Sequence, residues 1–273
     1  MTIQTPTGSS APPPSEDRRA NPWSDPMTRP GEDHLLDVSV GDGLVLVAWS
    51  LIGQTLLGIV VFTVMRAAGV DVAALAGASL GATLVVIVSV TMAGSLAWLA
   101  GRGKISWRLL GSQRLQLRHV GNGVLWGFVA LMASFLIVYV GTLPFVDAED
   151  VGQSLLEPEM LTGGAFVLTL LLAGLMAPLL EELTFRSVLF QSLGRRIGWL
   201  PGAVVSSVVF AVVHVEVYVP FRGEAVVFLL ALATVGFVFA VAFHRERNLV
   251  TAIVAHATFN IVQLTFAAAT VTG

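Results

Sequence analysis

The sequence predicts an all-α membrane protein, a polytopic bundle of about seven transmembrane helices behind a disordered N-terminal tail. Three observations predict it. Of 273 residues, 55% are hydrophobic and only 12% are charged, whereas soluble domains carry roughly 25% charged residues. Mean hydropathy is +0.81. Apolar runs also recur at close to the ~20 residues that a helix needs to cross a bilayer.

Residues 1–40 form the tail. The stretch TPTGSSAPPPSEDRRANPWSDPMTRPGED is rich in Pro, Ser and charge. It lacks the apolar periodicity of a packed element and reads as solvated and disordered. It has no early apolar core, so a cleavable signal peptide is not expected. Residues 41–163 then hold three spans, near 44–65, 76–100 and 122–143. Residues 164–273 hold four more, near 164–182, 202–219, 225–243 and 249–269. The second span is rich in small residues, which let helices approach closely. The segment SVLFQSLGRRIGWLPG, between the fourth and fifth spans, is expected to extend the helix along the membrane interface.

Basic residues set the orientation. Arg18, Arg19 and Arg29 lie in the tail. Arg102, Lys104, Arg108, Arg114 and Arg118 follow the second span. Arg195 and Arg196 follow the fourth, and Arg245 and Arg247 follow the sixth. The opposite loops hold only Arg66 and Arg222, and one of them, FVDAEDVGQSLLEPEM, is acidic. Seven spans in the cell membrane, with the N-terminus inside and the C-terminus outside, fit this pattern. The net charge of -3 carries little information, and no nucleic-acid partner is expected. The chain has no cysteine, which excludes thiolate nucleophiles, disulfides and cysteine-ligated metal.

Ionisable groups inside spans are functional candidates by default. They fall in three places. In EELTFR, Glu182 and Arg186 are four residues apart, so they share a helix face and can pair. Glu181 is turned by about 100° from Glu182 and is free to face another surface. A cap-and-pair cluster at the helix end is the plain structural reading. In FAVVH, Phe210 lies one turn from His214; a lone histidine of this kind is commonly a packed, hydrogen-bonded one. In HATFN, His256 and Asn260 point the same way from mid-span, as helix-bonding glue or as the lining of a site. Pro178 removes a backbone hydrogen bond just before the glutamates and is expected to kink the span. His34, His119 and His244 are expected on solvated surface. Glu216, two residues after His214, points elsewhere.

The ordered set EExxxR, FxxxH and HxxxN, each on its own apolar helix, resembles the CAAX protease and bacteriocin-processing family of intramembrane proteases. Type II CAAX prenyl endopeptidases are among its members. The likeness covers roughly residues 164–265. It implies a membrane-embedded endopeptidase acting on a protein or peptide, lipidated or not, at the lipid bilayer. Glu181 would match the catalytic glutamate and His214 its partner in activating water. Glu182 and Arg186 would match the supporting pair, with Phe210 beside them. His256 and Asn260 would match the residues that stabilise the oxyanion.

The chemistry is coherent. Water is a poor nucleophile, and a carboxylate withdrawn from water is a stronger base near neutral pH. N–H donors can then stabilise the tetrahedral intermediate. Glu181, His214 and His256 also suit a zinc-type site with an open position for water. The cofactor is therefore none or a divalent metal such as zinc. HExxH is absent, so that type of metalloprotease is excluded. A non-catalytic scaffold or bacteriocin-immunity role could reuse such a fold. An ion-coupled carrier would also place polar groups beside a broken helix, although the chain shows no inverted repeat.

Overall fold

The computed structural model describes residues 38–72, 75, 77–105, 115–142, 158–214 and 223–272. The expected tail up to residue 37, with His34, lies outside them. So do Arg108 and Arg114 of the basic loop, residues 143–157 of the acidic loop, Glu216 and Arg222.

Among the described residues, seven helices make up the bundle: α1 (Val40–Ala67), α2 (Gly77–Gly101), α3 (Leu117–Thr142), α4 (Gly163–Ile197), α5 (Trp199–His214), α6 (Gly223–Glu246) and α7 (Leu249–Thr272). All but α5 contain a stretch long and apolar enough to cross a membrane. The 16 described residues of α5 would span about 24 Å at 1.5 Å per residue. The chain is thus an integral, multi-pass helical bundle.

Local chemistry sets several helix ends. Ser39 and Asp42 form a reciprocal capping box at the start of α1, with Asp42 also paired to Arg102 at 3.3 Å. Gly198, at φ 87°, breaks the chain between α4 and α5, a conformation open to glycine at little cost. Two stretches of α4, Leu172–Met176 and Leu183–Phe190, wind as π-helix. Such widened turns are frequent at functional sites.

The centre of the bundle is α7, packed against α3, α6 and the middle of α4. Gly123 and Gly127 let α3 come close: a Cβ on Gly127 would sit 2.7 Å from the Ala255 carbonyl oxygen, and one on Gly123 2.6 Å from Val254 Cβ. This GxxxG spacing brings backbones together in membrane helices, and here it seats the helix that carries His256.

Two expectations about placement change, those for His244 and His119. The segment after the fourth span is helical, as expected, and packs within the bundle. Val188, Phe190 and Gln191 are fully buried, because α1 and α5 cover them. His244 is not on solvated surface: it is buried, stacked on Trp199 at 4.5 Å and edge-on to Phe190 at 6.3 Å. His119 is buried too. Its Nδ1 accepts the Gln116 backbone N–H at 3.0 Å, which satisfies an orphan donor at the start of α3.

Candidate active site

Residues from α4, α5 and α7 meet around one carboxylate oxygen. Glu181 Oε2 lies 3.1 Å from His214 Nε2 and 3.7 Å from His256 Nε2. Residues 33 and 75 positions beyond Glu181 thus arrive at the same point. The Glu181 and His214 side chains keep 21% and 30% of their surface exposed, so a reactant can reach them.

Glu182 faces the other way. One oxygen lies 3.2 Å from Arg186 Nε, and both side chains are fully buried. The other lies 2.9 Å from His256 Nδ1. Arg186 Nη2 donates to the Gly236 carbonyl at 3.0 Å. Its guanidinium sits over the Phe210 ring at 4.8 Å and near Phe239 at 5.7 Å. Aromatic faces attract such a cation, more strongly when water is excluded. The two adjacent glutamates therefore differ in exposure, one neutralised in the protein interior and one accessible, with His256 between them.

The histidines are oriented through their Nδ1 atoms. His214 Nδ1 contacts the Phe210 carbonyl at 2.7 Å. A carbonyl only accepts, so Nδ1 carries the proton there, and Nε2 faces Glu181. One further proton, on Nε2 or on Glu181, completes the 3.1 Å contact. By the same logic His256 Nδ1–H donates to Glu182. The His256 ring stacks on Phe239 at 4.8 Å and meets Phe210 edge-on at 5.8 Å. Phe210 also packs 4.2 Å from the His214 ring.

Asn260 is placed differently from the other motif residues. Its Nδ2 donates to the Ala173 carbonyl at 2.7 Å, tying α7 to the first π-helical stretch of α4. An amide nitrogen has two hydrogens, so one donor remains.

Sequence reasoning missed Gly236 and Phe239, both on α6. One lends a carbonyl to Arg186, and the other stacks on His256. A glycine in an apolar span marks close approach, which was a usable signal for Gly236. Nothing distinguishes Phe239 from the other aromatics in the sequence. A groove of about 600 Å³ between α1 and α2, lined by Gln54, Phe62, Arg66 and Ile87 among others, includes none of the motif residues.

Among the described residues no group of three or more His, Asp or Glu side chains is arranged to hold a metal ion. Glu181 Oε2 is engaged with His214 Nε2 at 3.1 Å, and His256 Nε2 stands 3.7 Å from the same oxygen.

Residues 163–262 match the Rce1-like family of type II CAAX prenyl endopeptidases. The resemblance read from the three motifs is borne out over these residues. A curated protein named "Putative membrane peptidase YdiL", from Bacillus subtilis (strain 168), is 28% identical over 96 residues, covering 35% of this chain and 36% of that protein. The chain thus spans about a third of that relative's length. No solved structure matches significantly. The matched residues contain every residue of the site just described, from Ala173 to Asn260.

Proposed function

We propose that the protein is an intramembrane endopeptidase that hydrolyses a peptide bond of a membrane-associated protein or peptide. The observation that carries this reading is the convergence of His214 and His256 on the accessible carboxylate of Glu181, beside a fully buried Glu182–Arg186 pair. The Rce1-like match and the peptidase name of the relative support the same class.

Glu181 takes a proton from water as the water oxygen bonds to the scissile carbonyl carbon. The carbonyl π electrons move to oxygen, forming a tetrahedral oxyanion. The proton shared between Glu181 and His214 passes to the departing amine as the C–N bond breaks. N–H donors stabilise the oxyanion. His256 can donate from Nε2 only as an imidazolium, because its Nδ1–H is committed to Glu182. Asn260 has a free N–H at any pH. No step is routed through a metal, because among the described residues no group of three or more His, Asp or Glu side chains is arranged to hold one.

The test is cleavage of a peptide library by purified wild type beside Glu181→Gln. Turnover of the variant is expected to fall by ~10²–10⁴, the usual scale for acid–base catalysis, with the melting temperature in detergent unchanged. Near-normal cleavage by Glu181→Gln would remove Glu181 from the role of base.

The proposed orientation is N-terminus inside and C-terminus outside, supported by twelve Lys/Arg assigned inside and two outside, with Arg186 set apart. The cysteine-free chain makes this testable with single cysteines near Ser112 and Gln153 and an impermeant thiol reagent on intact cells. Labelling near 153 alone is expected; labelling near 112 alone reverses the orientation.

A further inference from the structure

In the first π-helical stretch of α4, the Ala177 N–H bonds to the Leu172 carbonyl, five residues back. The next carbonyl, Ala173, would take its bond from residue 178 in that register. Residue 178 is proline and has no N–H. Ala173 O is therefore left without either of its regular backbone donors. A carbonyl so left inside a protein costs free energy comparable to a lost hydrogen bond. Asn260 Nδ2 fills the gap, at 2.7 Å. The helices are close at this point, since a Cβ on Gly174 would lie 2.9 Å from Ile261 Cγ1.

We infer that Pro178 is a positioning residue: by vacating the Ala173 carbonyl it creates the acceptor that locks the Asn260 amide in one orientation. The inference rests on the proposed peptidase activity for its consequence, but its geometry does not. The two N–H bonds of an amide form a rigid planar fork. Once one is held by Ala173 O, the direction of the other is fixed. That second N–H, one turn from His256, is the donor that needs no protonation change to meet an oxyanion. The proline three residues before Glu181 thus acts through α7, a different helix from the one that carries the base. A merely structural proline would be replaced without harm, since alanine suits a helix interior far better.

Pro178→Ala is the test. It restores an N–H, and in either α or π register Ala173 O regains a backbone donor. The chain has four asparagines, so protein labelled with ¹⁵N-asparagine gives few side-chain amide signals. The Asn260 pair is the one lost in Asn260→Ala. In detergent-solubilised wild type, one proton of that pair should be protected from exchange. In Pro178→Ala both should exchange like a free amide. Turnover of Pro178→Ala should fall at least tenfold with KM unchanged and the melting temperature not lowered. Asn260→Ala alone should cost ~10²–10³, the usual scale for an oxyanion donor, and the double variant no more than that. An Asn260 signal unmoved by Pro178→Ala would overturn the inference, as would losses that multiply in the double variant. Should wild type cleave no peptide while the Asn260 signal shifts as expected, the positioning stands and the peptidase reading falls.

Discussion

Between Gln54 and Ala67, α1 has no buried residue. Between Leu183 and Phe190, α4 has every residue buried. Yet both helices contain a stretch long and apolar enough to cross a membrane. Hydropathy reports removal from water, and lipid serves as well as protein for that. What separates the regions is polar chemistry. α1 presents Leu56, Ile59, Val60 and Val64 outward, as a lipid-facing surface can. α4 carries Glu182 and Arg186 at full burial, which only surrounding protein partners can stabilise. The contrast teaches that a membrane bundle of this kind is assembled tightly where charge must be held and loosely where it need not be.

The two ion pairs test this contrast most strongly. Arg186→Met leaves Glu182 buried without its cation, and the loss expected in unfolding measurements in detergent is about 3–5 kcal/mol. Arg102→Met removes a partner that is 51% exposed from Asp42. Asp42 keeps its two hydrogen bonds from Ser39, so a loss of about 0–1 kcal/mol is expected. Similar losses at both sites would erase the distinction between the two regions.

A smaller effect sharpens the same comparison through packing. Gly127→Ala drives a methyl to 2.7 Å from the Ala255 carbonyl and from Thr258 Cβ. It should cost about 1–3 kcal/mol, as overpacking does, and lower turnover by displacing the helix of His256. Gly58→Ala on α1 meets only Ile87 Cδ1, at 3.8 Å. There the gain in helix preference should dominate, raising stability by about 0.5–1 kcal/mol. Thermal melts of the two variants decide the matter. A destabilised Gly58→Ala would mean that α1 packs more closely than its exposed face shows.

Much of the site was legible because helices make spacing into geometry. The i, i+4 pairs Glu182/Arg186, Phe210/His214 and His256/Asn260 each fall on one face by the 3.6-residue turn alone. The match between Glu182 and His256 was not legible, since 74 residues separate them. His119 and His244 were misjudged for a related reason. Both flank basic loops, and charge near a helix end reads as solvent. One histidine instead serves a backbone N–H, and the other stacks between aromatic rings from α4 and α5.

By itself the sequence determined the helical membrane architecture, because every backbone polar group in lipid must be satisfied within its own helix. It also determined which glutamate could pair with Arg186. The tertiary structure decided the rest. It aimed two histidines at Glu181 Oε2, set Gly236 and Phe239 behind them, and used Asn260 to occupy the carbonyl that Pro178 leaves open. Helix formation depends on neighbours within one turn of chain, whereas these contacts depend on how closely α5, α6 and α7 approach α4. That approach is set by side-chain shape across the bundle, which no local pattern of residues records.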